Sequence, residues 1–125
     1  MTTTDKNKLI AEFMGYTQPH PDYPNATYWY KKGEAPLAVL LYDTNWDWLM
    51  PVVENIEGLE TPITNNLLLE GKFETYEVHI ENKHVKIYAH GEVTKEVADL
   101  KYNTKIEAVY NACVEFVVWY NQNKS

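Results

Sequence analysis

Two runs of alternating apolar and polar residues, 73–81 and 84–90, most strongly constrain how this chain can fold. Such alternation has the period of a β-strand with one buried face. Because only Asn82 and Lys83 separate the runs, they cannot form parallel strands and instead predict an antiparallel β-hairpin. Its expected register pairs Glu81 with His84, His79 with Lys86, Glu77 with Tyr88 and Thr75 with His90.

The segment that begins at Thr104 predicts a long amphipathic helix. Thr104 and Glu107 have the three-residue spacing of a capping box, in which each side chain accepts a hydrogen bond from a free backbone amide. Apolar residues then recur with helical period along one side. That side consists of Ile106, Val109, Tyr110, Cys113, Phe116, Val117 and Tyr120.

Two shorter helices are predicted earlier in the chain. One covers about residues 5–14 and ends at Gly15, and the other covers about residues 44–57 and ends at Gly58. Glycine at these positions can adopt the backbone angles that close a helix. The expected N-terminal caps are Thr4 or Asp5 for the first helix, and Thr44 with Asp47 for the second.

Two strands are predicted between these helices. Residues 27–31 are aromatic, and residues 37–42 are apolar on both faces, as expected of a central strand covered on both sides. The segment 63–69 is expected to form a short further strand, and the polar stretch 91–103 a packed turn. The principal elements therefore predict one α+β domain over residues 1–125, in the order αββαββα, with a mainly antiparallel sheet.

Composition excludes several classes of function. The 125 residues carry a net charge of −7 and include no arginine, which disfavours binding to duplex nucleic acid. Cys113 is the only cysteine and Ser125 the only serine, so an internal disulfide, a thiolate zinc site and a catalytic serine triad are excluded. No apolar run is long enough to span a membrane, and no export signal is apparent, so we expect a cytoplasmic protein.

Three histidines share the polar face of the predicted hairpin. His79, His84 and His90 could bind a divalent metal or act as acids and bases, together with the neighbouring glutamates. They are spread along two strands, however, whereas metal ligands must converge on one point. The simpler interpretation is a solvated face with cross-strand charge pairs, and we expect no metal and no catalytic residue there.

Two tryptophans lie off the apolar sides of their predicted helices. At 100° per residue, Trp48 points with Val52 away from the apolar side of the second helix, and Trp119 lies with Val118 off that of the last. Each needs another surface to pack against, which could be the same domain, a second subunit or a ligand. The candidate subunit-interface residues are Trp48, Val52, Val118 and Trp119.

Aromatic residues beside lysines indicate a candidate ligand site. Tyr28 and Tyr30 precede Lys31 and Lys32, and aromatic rings next to lysines can stack on a nucleobase while neutralising a phosphate. The start of the second helix would add backbone amides for an anion. The alternative is ordinary core packing. The candidate ligand-binding residues are Tyr28, Tyr30, Lys31, Lys32, Asn45, Trp46 and Trp48.

Three segments of the chain resemble a known family. Residues 9–16 (LIAEFMGY), 44–53 (TNWDWLMPVV) and 105–121 (KIEAVYNACVEFVVWYN) are similar, in this order, to a family of small phage and prophage proteins described as the phage α/β/α-sandwich domain. The resemblance implies a three-layer sandwich with helices on both faces of the sheet. It implies no catalytic residues.

The leading functional hypothesis is a non-enzymatic phage accessory protein in the host cytoplasm. In this hypothesis the chain needs no cofactor, forms a homo-oligomer and sequesters a small host ligand, such as a nucleotide second messenger of antiphage defence. The alternative is an inhibitor or adaptor that docks onto a host protein without any small-molecule ligand. Hydrolysis at the histidine-bearing face is a third hypothesis, which a flat hairpin does not favour.

Overall fold

A computed structural model describes residues 1–18, 28–59, 63–65 and 71–123 of the chain. The described part has three helices and one four-stranded sheet. The elements in chain order are α1 (Thr3–Phe13), α2 (Trp46–Glu57), β1 (Ile63–Asn65), β2 (Gly71–Glu81), β3 (His84–Gly91), β4 (Thr94–Lys101) and α3 (Lys105–Asn123).

The sheet has the strand order β1-β2-β3-β4, and every neighbouring pair is antiparallel. Strands β2 and β3 form the predicted hairpin, and all four predicted residue pairs are present. Asn82 in the turn has a φ of 58°, a left-handed conformation that asparagine tolerates better than most residues. The local alternation and the short turn were therefore sufficient to predict both the hairpin and its register.

Strand β4 corrects the expectation of a packed turn within residues 91–103. It pairs with β3 along its length, with an irregularity in register opposite Ile87 and Tyr88. Ala98 pairs with Ile87 and Glu96 pairs with Tyr88, so Val97 is an extra residue in β4. Two consecutive apolar residues, Val97 and Ala98, therefore interrupt the alternation of apolar and polar residues. The pattern that identifies a strand in the sequence is broken at that point.

The two strands predicted within residues 27–42 are not part of the sheet. The described residues of this segment make only isolated bridges, between Thr17 and Tyr30 and between Trp29 and Leu37. Val39 is 59% exposed, so residues 37–42 do not form a buried central strand. Instead, the carbonyl of Leu40 accepts a hydrogen bond from the Asn7 side chain on α1. The order is therefore ααββββα, and the prediction αββαββα was wrong.

The helices cover one face of the sheet. Val85, Ile87 and Ala89 on β3 are fully buried, while their neighbours on the opposite face are half-buried or exposed. Within the described ranges nothing covers that opposite face, which carries the histidines. The α+β class and the antiparallel sheet are confirmed, but the three-layer arrangement is replaced by a sheet with one helical layer.

Capping side chains set the start of each helix. Thr2, rather than Thr4 or Asp5, caps α1 and forms a capping box with Asp5. Asn45 caps α2 in place of Thr44, because its side chain accepts the amide hydrogen of Asp47. Thr104 caps α3 as predicted, accepting the amide hydrogen of Glu107.

Candidate functional site

A cleft brings two of the predicted ligand-binding residues, Lys31 and Trp48, together. It lies between the end of α1, the 31–42 segment and the first turns of α2, and we call it the Tyr16–Trp48 cleft. Its volume of about 450 Å³ falls within the range of small-molecule sites. The described residues that line it are Met14, Tyr16, Lys31, Glu34, Leu37, Tyr42, Asp47, Trp48 and Pro51.

The chain reversal after α1 positions one side of the cleft. Gly15 has a φ of 94°, which turns the backbone out of the helix and directs the chain into Tyr16 and Thr17. Thr17 and Tyr30 then exchange two backbone hydrogen bonds of 2.8 and 2.9 Å. This bridge holds Lys31 beside Tyr16, with its Nζ 5.5 Å from the centre of the tyrosine ring.

Tyr42 and Trp48 form an aromatic pair in the cleft. Their rings meet edge to face, with centroids 5.2 Å apart. Tyr42 is buried, and this burial, together with the nearby Tyr16, raises the pKa of its hydroxyl to about 12. The Tyr42 hydroxyl therefore stays protonated at neutral pH, and Trp48, which is half-buried, provides the accessible ring of this uncharged pair.

The charges in the cleft are mixed. Lys31 is its only lysine among the described lining residues, and Glu34 and Asp47 are its carboxylates. The cleft therefore carries more negative than positive charge, which opposes a ligand with several phosphates. The same carboxylates can accept hydrogen bonds from the amino groups of a ligand.

The first turn of α2 offers fewer backbone donors than the sequence suggested. The amide of Asp47 donates to the Asn45 side chain, and the amides of Trp48 and Leu49 donate to the Asn45 carbonyl, both at 3.1 Å. Asn45 thus acts as the helix cap, and it does not line the cleft with Trp48. These engaged amides do not form an anion site.

The remaining predicted ligand residues lie apart from this cleft. Tyr28 is 46% exposed and Lys32 is exposed, while Tyr30 is half-buried, and none of the three is among the residues that line the cleft. Trp46 is more than one-third exposed and is likewise absent from the lining. Only Lys31 and Trp48 of the predicted ligand-binding residues therefore lie in the cleft. Tyr28, Tyr30 and Lys32 do not join them, because residues 28–32 do not form a strand with two uniform faces.

Sequence reasoning missed several residues of the cleft, chiefly Tyr16, Glu34 and Tyr42. Tyr16 follows directly after a helix-ending glycine, and a large aromatic residue at this position often packs back onto the helix. That signal was present in the sequence. The approach of Tyr42 and Glu34 depends on how the 31–42 segment folds back, which no local pattern specifies.

The four predicted interface residues have three different environments. Val52 is fully buried in the core and cannot form part of a surface. Trp48 lies in the cleft. Trp119 packs edge to face on Phe73 and Tyr76, and with Val118 it lines a second groove of about 550 Å³ between α3 and β4.

The histidine-bearing face forms two separate clusters. Glu77 contacts His79 at 2.5 Å and His90 at 2.8 Å, and these hydrogen bonds lower the pKa of its carboxyl group. His84 instead contacts Asp99 at 2.5 Å. No group of three metal-ligating side chains suited to hold an ion is found in the part of the chain that the structure describes.

Comparisons with protein-family models, curated proteins and solved structures give no match to this chain. The resemblance to the phage α/β/α-sandwich domain therefore stays a prediction. Among the described residues, no helix is both long and apolar enough to cross a membrane.

Proposed function

We propose that this chain is a non-enzymatic binding protein that holds a small planar ligand in the Tyr16–Trp48 cleft. The observation that carries the proposal is the convergence of Tyr16, Tyr42 and Trp48 with one lysine, Lys31, in a space of about 450 Å³. Aromatic rings favour a flat ligand, because stacking buries both surfaces without requiring particular hydrogen bonds.

A nucleotide with a single phosphate is the ligand class that best suits this lining. Its base would stack on the aromatic rings, while Lys31 would contact the phosphate. Glu34 and Asp47 would accept hydrogen bonds from amino or hydroxyl groups of the ligand. Polyphosphates would be disfavoured, since these two carboxylates line the same cleft as the lysine.

The proposal extends to a biological role that the family resemblance suggests. A phage accessory protein with such a cleft would sequester a nucleotide second messenger of antiphage defence in the cytoplasm of the host. Sequestration requires only that the ligand is bound, and the aromatic rings and Lys31 of the cleft would provide that binding.

Isothermal titration calorimetry with AMP, a cyclic mononucleotide, ATP and adenosine tests this proposal. We expect AMP or the cyclic nucleotide to bind more tightly than ATP. Trp48→Ala should weaken that binding by about tenfold or more, because one stacking contact contributes about 1–3 kcal/mol. Lys31→Ala should weaken the binding of nucleotides but not of adenosine.

Two matched variants control for nonspecific effects of these substitutions. Trp46→Ala removes a tryptophan from the same helix outside the cleft, and Lys32→Ala removes the neighbouring lysine. Both should bind as the unaltered chain does. Equal losses for Trp46→Ala and Trp48→Ala, or no binding of any of the four compounds, would contradict the proposal. The latter result would favour docking onto a host protein, which pull-down from host lysate would then examine.

A further inference from the structure

Strand β4 ends the sheet, and its outer edge faces away from β3. No strand in the described ranges pairs with this edge, which leaves a row of backbone donors and acceptors for another strand. The groove between β4 and α3 includes Val97 and Leu100 of this strand, and apolar and polar residues of α3 line it together with Met1 and Lys6. An additional strand at this edge would cover part of the groove.

One backbone hydrogen bond determines which residues of β4 present their backbone groups outward. The amide of Tyr102 donates to the carbonyl of Lys83 at 3.2 Å, just beyond the pair of His84 and Lys101. In an antiparallel sheet, successive residues direct their backbone groups to opposite sides. Leu100 and Tyr102 therefore face β3, whereas Asp99 and Lys101 direct their amides and carbonyls to the free edge.

The side chains of these residues alternate between the two faces of the sheet. Leu100 is paired with the buried Val85 and lies on the helical side. Asp99 and Lys101 are paired with Lys86 and His84 and lie on the opposite face. The free edge therefore combines outward backbone groups with one negative and one positive side chain on the same face.

This pattern is complementary to itself when two copies are related by a two-fold axis. An axis at Asp99 would oppose two aspartates, and an axis at Lys101 would oppose two lysines, which destabilises a strand pair. An axis at Leu100 places Asp99 opposite Lys101 of the second copy, twice by symmetry. In that register the outward backbone groups of both residues are also satisfied.

We propose that a second copy of this chain pairs with β4 in antiparallel orientation, with the two-fold axis at Leu100. Asp99 and Lys101 exchange backbone hydrogen bonds with Lys101 and Asp99 of the second copy, and the two sheets become continuous. Leu100 of each copy meets its equivalent on the helical side. Tyr102, now 39% exposed, comes to lie opposite Ala98 of the second copy, beside the groove.

This interface differs from the predicted one and does not depend on ligand binding in the Tyr16–Trp48 cleft. It retains Val118 and Trp119, which line the groove beside β4. Val52, which is buried, and Trp48, which lines the cleft, are not part of this interface.

Sedimentation velocity over a range of protein concentrations tests the proposal. We expect the 14.6 kDa chain to form a dimer and Lys101→Asp to weaken dimerisation by about tenfold or more, since aspartates then oppose each other at two positions. Lys83→Asp, which makes the same charge change in the β2–β3 turn, should leave it unaltered. The double variant Asp99→Lys/Lys101→Asp should restore dimerisation, because it reverses each pair.

Amide hydrogen exchange measured by NMR gives a second readout that does not require the double variant to fold. On dimerisation the amides of Asp99 and Lys101 should become slow to exchange, while those of Leu100 and Tyr102 are protected in both states. A chain that stays monomeric at millimolar concentration, or a dimer that Lys101→Asp does not weaken, would overturn the proposal. Unchanged exchange at Asp99 and Lys101 in a dimer would do so as well.

Discussion

Tyr76 and Tyr110 have similar burial but differ in the hydrogen bonding of their hydroxyl groups. The Tyr110 hydroxyl donates to the Asn7 side chain at 2.9 Å, and Asn7 in turn donates to Asp43 and to the Leu40 carbonyl. This network joins α3, α1 and the segment before α2. The Tyr76 hydroxyl is buried with no partner among the described residues, although its ring packs on Phe116, Trp119 and Tyr120.

The two hydroxyls should therefore have opposite effects on stability. Tyr76→Phe should raise the free energy of unfolding by about 1 kcal/mol, because it removes an unsatisfied polar group and keeps the ring. Tyr110→Phe should lower it by about 1–3 kcal/mol, because it leaves the Asn7 oxygen without its donor. Urea denaturation of both variants measures these changes. A loss of stability in Tyr76→Phe would show that the hydroxyl has a partner.

The start of α2 shows that a capping pattern in the sequence does not always identify the residue that caps the helix. Thr44 and Asp47 have the spacing of a capping box, but Asn45 is the residue with extended backbone and with its side chain on the Asp47 amide. Both threonine and asparagine are good caps, so the sequence offered two starts one residue apart. The turn formed by the Leu41 carbonyl with the amides of Thr44 and Asn45 selects between them.

Hydrogen bonds from histidine side chains help to stabilise the hairpin of β2 and β3. Glu77 accepts hydrogen bonds from His90 across the strands and from His79 on its own strand. These bonds lower the pKa of the Glu77 carboxyl from the ordinary value of 4.5. Since the folded state binds this proton less tightly than the unfolded chain, the contribution to stability is present above that value and lost as the pH falls through the folded pKa.

Substitution of Glu77 should accordingly change how stability depends on pH. We expect Glu77→Gln to melt at a lower temperature than the unaltered chain at neutral pH, and the difference to shrink as the pH falls below the ordinary carboxyl pKa of 4.5. Glu81→Gln, at the exposed end of the same strand, provides the control and should show little difference. Thermal melts followed by circular dichroism give both profiles, and parallel curves for Glu77→Gln and the unaltered chain would contradict the assignment.

In the part of the chain that the structure describes, the helices cover one face of the sheet. Helix α3 packs against β3 and β4, α2 packs against β2, and α1 reaches the core through α3. The core contains β3 residues such as Ile87, whereas Tyr88 lies on the other face between the rings of His79 and His90. Stability should therefore depend strongly on which face a substitution alters.

Neighbouring residues of β3 test this organisation. Ile87→Ala should lower the free energy of unfolding by about 2–5 kcal/mol, because it leaves a cavity in a fully buried position. Tyr88→Ala should cost about 1 kcal/mol or less, since its ring is only half-buried. Chemical denaturation compares the two, and equal losses would mean that both faces are covered.

Only part of the candidate site could be predicted from the sequence. Lys31 and Trp48 line the cleft. Tyr28 and Lys32 were selected by the same argument as Lys31 but do not line it, because residues 28–32 do not form the predicted strand. Tyr16 enters the cleft from the distant end of α1, whereas Tyr42 lies close to Trp48 in sequence but outside any regular helix or strand. No helical or strand period therefore grouped these residues with Trp48.

Local sequence patterns were enough to predict the hairpin and α3. The alternation around Asn82 determined the hairpin, and Thr104 with the helical apolar period determined α3, because hydrogen bonding and burial there depend on near neighbours. Local patterns did not predict that residues 37–42 lie over α1, or that β4 joins the sheet despite its irregular register; long-range packing determines both. Long-range packing also determines which face of the sheet the helices cover, because distant apolar surfaces compete for the same core.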